Sequence, residues 1–389
     1  MKRIGVVTAT RAEYGLLKNT MKAIEADKEL ELFLVVTGTH LLKEYGYTID
    51  EIENDGFKIN EKMDILMKSD DYTGICKSMG MASILFSEIV ARNPIDALLV
   101  LGDRYELLSI CSVAMNARIP IIHISGGETT EGLIDEAVRH CVTKMSYLHF
   151  PGCEAYRKRI IQLGEDPERV FNYGDVGVEN ILKMEYMDKV ELEKSINFSL
   201  ERPYFSVTFH PVTLETGTVG TQIKELLDAI SERPEYSYVF TKANADTGNY
   251  EINKLIDEFV VKNSNCVAYE SLGIKRYLSL LKYSVGTIGN SSSGIVEAPI
   301  LKIPTINIGD RQKGRMKAES IIDCGPDKLA IISAIDKSQT EEFTNICKNV
   351  ESIYASGNTS EKIIEKVKEY LINDKIDLKK KFYDVDFKY

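Results

Sequence analysis

Several stretches of this 389-residue chain set charged or hydroxyl side chains beside glycine, in patterns that suit anion binding or proton transfer. Thr10-Arg11-Ala12-Glu13 places a guanidinium directly after a short apolar run. There Arg11 suits a phosphate oxygen, and equally a salt bridge to Glu13 or another carboxylate. Gly102-Asp103-Arg104 follows another apolar run, so Asp103 either reaches a ligand or caps the next helix. Ser125-Gly126-Gly127-Glu128 brings a further carboxylate to a glycine turn. Asp103 and Glu128 can serve as acid and base where their surroundings separate their pKa values. Asp135, Arg139 and His140 share one predicted helix; Asp135 and Arg139, spaced i,i+4, form either an ion pair or a third carboxylate with its orienting cation.

The second half of the chain offers a different set. His210-Pro211 ends an apolar run, and His210 can protonate or neutralise a phosphate leaving group; the alternative is a hydrogen-bonded core histidine. His40, His123 and His149 read as structural. Asn244-Ala245-Asp246-Thr247-Gly248 is a turn first and a ligand loop second. Gly289-Asn290-Ser291-Ser292-Ser293-Gly294 is the most specific signal: hydroxyls and backbone N–H groups at a helix N-terminus cradle an anion. It is neither a P-loop nor a G-x-G-x-x-G fingerprint. Glu297, one turn further, can hold the two hydroxyls of a ribose. Gly309-Asp310-Arg311-Gln312-Lys313-Gly314-Arg315 adds basic residues, as ligand contacts or as a solvated loop.

These residues need a frame. Apolar runs at 4–10, 31–37, 96–101 and 119–125 read as buried strands, with helical spacing over 12–26, 72–92, 105–117 and 131–145. The pattern restarts with strands at 204–209, 236–242, 284–289 and 304–308. Alternating apolar strands and helices predict parallel sheets covered on both faces, so the expected class is α/β, doubly wound, twice. The expected division is 1–184, a hinge at 185–202, a second layer at 203–357, and a final helix and tail at 358–389. The Lys379-Lys380-Lys381 run reads as solvated. The candidate residues fall where strands end and helices begin, which is where such sheets bind ligands.

Composition narrows the class. Hydrophobic residues make up 44% and charged residues 28%, with formal net charge −11 and mean hydropathy −0.16. These values exclude a disordered or fibrous chain and disfavour a general nucleic-acid binder. Seven cysteines without C-x-x-C fit free thiols in a reducing cytoplasm. No grouping has metal-ligand spacing, no signal peptide is legible, and no run of 18 apolar residues predicts a membrane span.

Together, TRAEYG (10–15), VTGTHL (36–41), GDRYE (102–106), GGE (126–128), IDEAVRH (134–140), FHPVT (209–213), NADTG (244–248), GNSSSG (289–294) and GDRQKGR (309–315) closely resemble the hydrolysing UDP-N-acetylglucosamine 2-epimerases. The resemblance implies a glycosyltransferase-B-like pair of Rossmann-like domains, with the active site in the cleft between them and the last helix crossing back to the first. It implies anti-elimination of UDP from UDP-GlcNAc to 2-acetamidoglucal, then addition of water to give N-acetylmannosamine for sialic acid synthesis. No cofactor and no metal are expected. By resemblance Asp103, Glu128 and Asp135 are the acid–base carboxylates. Arg11, Arg104, His210 and Arg311 are the diphosphate and active-site cations, and Ser291, Ser292 and Glu297 hold phosphate and ribose. Arg139 and Asn244 complete the expected substrate contacts. Arg11-Ala12-Glu13, where non-hydrolysing relatives usually have Arg-Pro-Glu, favours the hydrolysing branch. A homodimer or homotetramer in the cytoplasm is expected, with a nucleotide sugar as its small-molecule partner and neither nucleic acid nor membrane. Rivals are the same reaction on UDP-2,4-diacetamido-2,4,6-trideoxyglucose for legionaminic acid, a sugar transferase of the same fold, and a catalytically silent nucleotide-sugar-binding regulator.

Overall fold

In the structure, a computed structural model, all residues are described except 68–70, 132, 213–217, 244–248, 355–356 and 387–389. The chain forms two compact units. The first comprises Met1–Glu128, Asp135–Asn180 and Ser356–Tyr389; the second comprises Thr129–Ile134 and Ile181–Ala355.

The first unit holds β1 (Lys2–Thr8), β2 (Leu30–Thr37), β3 (Ile59–Met63), β4 (Ala97–Leu101), β5 (Ile121–Ile124) and β6 (Leu148–Phe150). They form one sheet in the order β3-β2-β1-β4-β5-β6, with every pairing parallel. Strand side chains alternate between faces. Ile4, Val6, Leu34, Val36, Leu99 and Leu101 therefore join one buried cluster. Val7, Phe33, Val35, Leu98 and Val100 join another on the opposite face. Burial on both faces is why these strands read as unbroken apolar runs. The final helix, Thr359–Ile372, buries Ile363, Ile364, Val367 and Leu371 in the first cluster beside Leu17 and Met21.

The second unit holds β7 (Tyr204–Thr208), β8 (Ser237–Thr241), β9 (Cys266–Tyr269), β10 (Gly286–Gly289), β11 (Thr305–Ile308) and β12 (Ile321–Cys324). Their order is β12-β11-β10-β7-β8-β9, again all parallel. Read from its own first strand, this is the same winding as in the first unit. In each sheet the chain starts in the middle, winds outward one way, then returns to the middle and winds the other way. The order reverses between β1 and β4, and between β7 and β10, and crevices at strand carboxyl ends open at such points.

The structure alters several expectations. The segment expected as a hinge, 185–202, contains the helix Lys189–Ile196, opened by a capping box between Asp188 and Glu191. Leu192, Ile196 and Leu200 are buried with Tyr204, Val239, Leu272 and Leu280, so this segment belongs to the second core. The units part at Asn180 and Ile181 rather than at 184/185. The helix expected over 131–145 starts at Asp135. Residues 129–134 count with the second unit, where the Glu131 N–H donates to the Lys313 carbonyl at 3.3 Å. Two of the four edge strands, β3 and β12, carry no apolar run, being half-buried and partly polar. Helix Tyr72–Arg92 is long and apolar enough to cross a membrane by length and composition alone, with mean hydropathy 1.3. Its Ala82, Phe86 and Ile89 are instead buried in the first unit.

Candidate active site

In the first unit, candidate side chains follow the carboxyl ends of β1, β4 and β5. Arg11 opens the helix Arg11–Ala26 directly after β1. Its Nε donates to Glu51 Oε2 at 2.8 Å, so the salt-bridge alternative holds, with Glu51 rather than Glu13 as partner. Glu13 is buried, and its Oε2 accepts the Ala9 N–H at 2.7 Å. Thr10 caps the same helix by accepting the Glu13 N–H. Thr-x-x-Glu is the capping-box signature, the sequence signal by which Glu13 could have been singled out. Burial, reinforced by the nearby Glu106 charge, pushes the Glu13 carboxyl up to about 8. Its Oε1 and the Oε2 of Glu106 are buried without a hydrogen-bond partner.

After β4, Gly102 turns with φ +78° and Asp103 follows. Arg104 stands before the helix Tyr105–Asn116; its Nε donates to the buried Glu106 at 3.3 Å and its guanidinium lies over the Tyr105 ring. Asp103 does not cap that helix, because Arg104 occupies the N-cap position. Asp103 Oδ2 instead accepts from Arg139 Nη2. Arg139, expected to touch substrate, is 1% exposed. Its Nη1 donates to the Glu128 carbonyl at 3.0 Å and to Glu136 Oε2 at 3.1 Å. One buried guanidinium thus joins the Asp103 carboxylate, the Glu128 backbone and a helix carboxylate. On the same helix Glu136, which sequence spacing does not single out, bonds Arg139 and also accepts from His140. Asp135 stands half-buried as the first residue of the helix Asp135–Met145.

Glu128 is buried after β5. The turn before it needs its glycines: a Cβ on Gly126 would lie 2.8 Å from His123 Nδ1 and from Thr143 Oγ1. His123 Nε2 donates to the Gly102 carbonyl at 2.8 Å, and its Nδ1 bonds Thr143 Oγ1 at 3.1 Å. Burial pushes the His123 imidazole down to about 3, so it is neutral at pH 7 and braces the turn that carries Asp103. His40 is likewise buried, pushed down to about 4, and bonded to Thr8 and Thr48.

In the second unit, β7 ends at Thr208 and delivers His210; β10 ends at Gly289 and delivers the serines. Gly289 has φ +135°, and a Cβ there would lie 1.8 Å from the Thr208 carbonyl oxygen, so only glycine fits. Ser292 sits at the N-cap of the helix Ser293–Ile300 and makes no side-chain capping bond; it is exposed. Ser291 Oγ accepts the Ser293 N–H at 3.3 Å, and Ser293 Oγ accepts from the Tyr277 hydroxyl at 2.7 Å. A helix N-terminus with an uncommitted N-cap hydroxyl is suited to an anion. Glu297 lies half-buried one turn on. Arg311 follows β11, and its Nη1 donates to the Asn290 carbonyl at 3.1 Å.

His210 is buried, and burial together with the Arg311 charge pushes its imidazole down to about 3. It is therefore neutral at pH 7 and not one of the expected cations. Its Nδ1 is buried without a hydrogen-bond partner. Asn244, with the rest of 244–248, lies outside the described residues. Among the described residues no three His, Cys, Asp or Glu side chains are grouped as for a metal ion.

The chain belongs to the UDP-N-acetylglucosamine 2-epimerase family, whose model matches residues 22–368. It is 43% identical over 343 residues to the GDP/UDP-N,N'-diacetylbacillosamine 2-epimerase (hydrolyzing) of Campylobacter jejuni, covering 88% of each chain. It is 42% identical over 391 residues to the polysialic acid biosynthesis protein P7 of Escherichia coli, covering 99% of this chain and 98% of that one. The solved UDP-GlcNAc 2-epimerase of Neisseria meningitidis bound to UDP-GlcNAc has the same fold: TM-score 0.80 at 18% identity, over 95% of this chain and 100% of that one. Within the family this chain is a hydrolysing 2-epimerase of a UDP-sugar.

Proposed function

We propose that the substrate is UDP-GlcNAc and that the products are N-acetylmannosamine and UDP, serving sialic acid synthesis in the cytoplasm. The observation that carries this reading is the division of chemistry between the sheets. One presents carboxylates after β4 and β5, and the other a serine-lined helix N-terminus after β10.

The C2 proton of the sugar is weakly acidic, because no carbonyl adjoins C1. Departure of the diphosphate must therefore carry much of the driving force. In the proposed reaction a carboxylate of the first unit, Asp103 or Glu128, takes the C2 proton while the C1–O bond to UDP breaks, and the electron pair forms the C1–C2 double bond. Asp135 is the third carboxylate of this set. The Ser291–Ser292 helix N-terminus and Arg311 stabilise the departing charge, and Glu297 holds the ribose. His210 donates a hydrogen bond to the leaving oxygen as a neutral imidazole. Water then adds hydroxyl to C1, and a proton reaches C2 from the opposite face, which inverts that centre. Arg11 and Arg104, each paired through Nε with a glutamate, present their guanidinium Nη groups as the donors for the phosphates.

A second reading has one specific support, the 43% identity to the Campylobacter diacetylbacillosamine epimerase. It keeps the reaction and changes the sugar to the 2,4-diacetamido-2,4,6-trideoxy form. Incubation with each UDP-sugar in deuterated water, with UDP release followed and the free sugar identified, separates the two. Our reading expects faster turnover of UDP-GlcNAc to N-acetylmannosamine labelled at C2. Preference for the diacetamido sugar by kcat/KM would replace it with the second reading, and release of UDP without C2 labelling would overturn both.

A further inference from the structure

Asn290 is buried to 1% exposure at the end of β10, and both ends of its amide are used on one distant residue. Its Oδ1 accepts the His210 N–H at 2.7 Å, and its Nδ2 donates to the His210 carbonyl at 2.8 Å. This reciprocal pair fixes the backbone of His210 in both directions, in the way two paired strands would, but beyond the point where β7 and β10 stop pairing. The Asn290 backbone is equally committed. Its N–H donates to the Thr208 carbonyl at 3.1 Å, and its carbonyl accepts Arg311 Nη1 at 3.1 Å and Gln312 Nε2 at 2.8 Å. One residue therefore ties together the chain segments leaving β7, β10 and β11.

We propose that Asn290 is a positioning residue of the elimination step: it sets the place of the His210 imidazole, and with it the hydrogen bond to the departing diphosphate. The proposal rests on the role of His210 given above. Asn290 touches no reacting atom. Its amide carries one acceptor and one donor on a short planar group, which answers an N–H and a C=O of the same residue. The substitution Asn290→Asp keeps the acceptor and loses the donor. The substitution Asn290→Ala loses both and leaves the His210 N–H and carbonyl buried and unsatisfied. Displacement of a catalytic group by about 1 Å costs up to roughly 100-fold in rate.

The test is a double-mutant cycle on the full chain, with steady-state UDP release and thermal unfolding measured for Asn290→Ala, Asn290→Asp, His210→Ala and the doubles. The expected result is that Asn290→Ala lowers kcat by roughly 10- to 100-fold, with a smaller change in KM, at temperatures where the variant is folded. Asn290→Asp should lie between it and the unmodified protein. In the His210→Ala background either change should have little further effect, because its target is gone. Should Asn290→Ala fail to fold, Asn290→Asp carries the cycle alone. Losses that multiply in the double, or an unchanged kcat in both asparagine variants, overturn the proposal. Unchanged turnover in His210→Ala instead refutes the role of His210, a different failure visible before any asparagine variant is made.

Discussion

Replacing Arg139 tests whether the first unit's carboxylates are held in place by one buried cation. The guanidinium is 1% exposed, while its Asp103 and Glu136 partners are each 26% exposed. Removing one partner of a fully buried pair costs about 3–5 kcal/mol, because the other charge stays buried. Here water reaches both carboxylates after the change, so the lower end applies, roughly 3 kcal/mol. For a unit of roughly 200 residues that corresponds to a Tm lower by about 6–12 °C. Arg139→Met retains most of the apolar stem and isolates the loss of charge and hydrogen bonds. Arg139→Lys retains the charge but cannot present the same planar fork of donors. Thermal unfolding followed by circular dichroism should show both variants destabilised, methionine more so. A coupled assay of UDP release should show kcat lowered by roughly 10-fold or more in each, as Asp103 and the Glu128 turn lose their anchor. A raised KM with unchanged kcat and Tm would refute this reasoning and return Arg139 to the substrate-contact role that its sequence position suggests.

Three further outcomes are expected. Asp103→Asn and Glu128→Gln should each lower kcat by roughly 100-fold or more, the usual scale for acid–base groups; near-normal turnover in either purified variant removes that residue from the mechanism. Glu13, pushed up to about 8 in the folded protein against about 4.5 unfolded, stays protonated in the fold while the unfolded chain ionises. Stability is therefore lost progressively as pH rises from about 4.5 to 8. Glu13→Gln should remove this penalty, gaining Tm over the parent as pH goes from 5 to 8; a difference constant with pH contradicts the burial argument. Lys380 donates to both oxygens of the buried Glu165 and to the Lys144 and Ser146 carbonyls. Lys380→Met should destabilise the protein by about 1–2 kcal/mol, whereas Lys379→Met and Lys381→Met, at exposed positions, should leave the unfolding midpoint within error. Equal effects at all three positions would mean that the tail is not docked through Lys380.

Much of the frame is local in origin, and so legible along the chain. A strand buried on both faces must be a short unbroken apolar run, as in Ala97–Leu101, and a covering helix must show a 3.6-residue period, as in Arg11–Ala26. Parallel layers follow from their alternation, and the polar residues at strand ends follow from where each run stops. Two edge strands, Ile59–Met63 and Ile321–Cys324, were not legible. Both are only partly buried, so polar and apolar residues mix in them without a clean period.

By itself the sequence determined the two-layer α/β class and which side chains stand at strand ends, because period and run length are properties of neighbours in the chain. Tertiary structure decided which partner each of those side chains meets. Arg11 took Glu51 rather than Glu13, and Arg139 took Asp103, 36 residues away. Lys380 left solvent for Glu165, 215 residues away. It also decided charge: Glu13 and His210 are neutral because folding strips water from them, and desolvation depends on everything packed around a group.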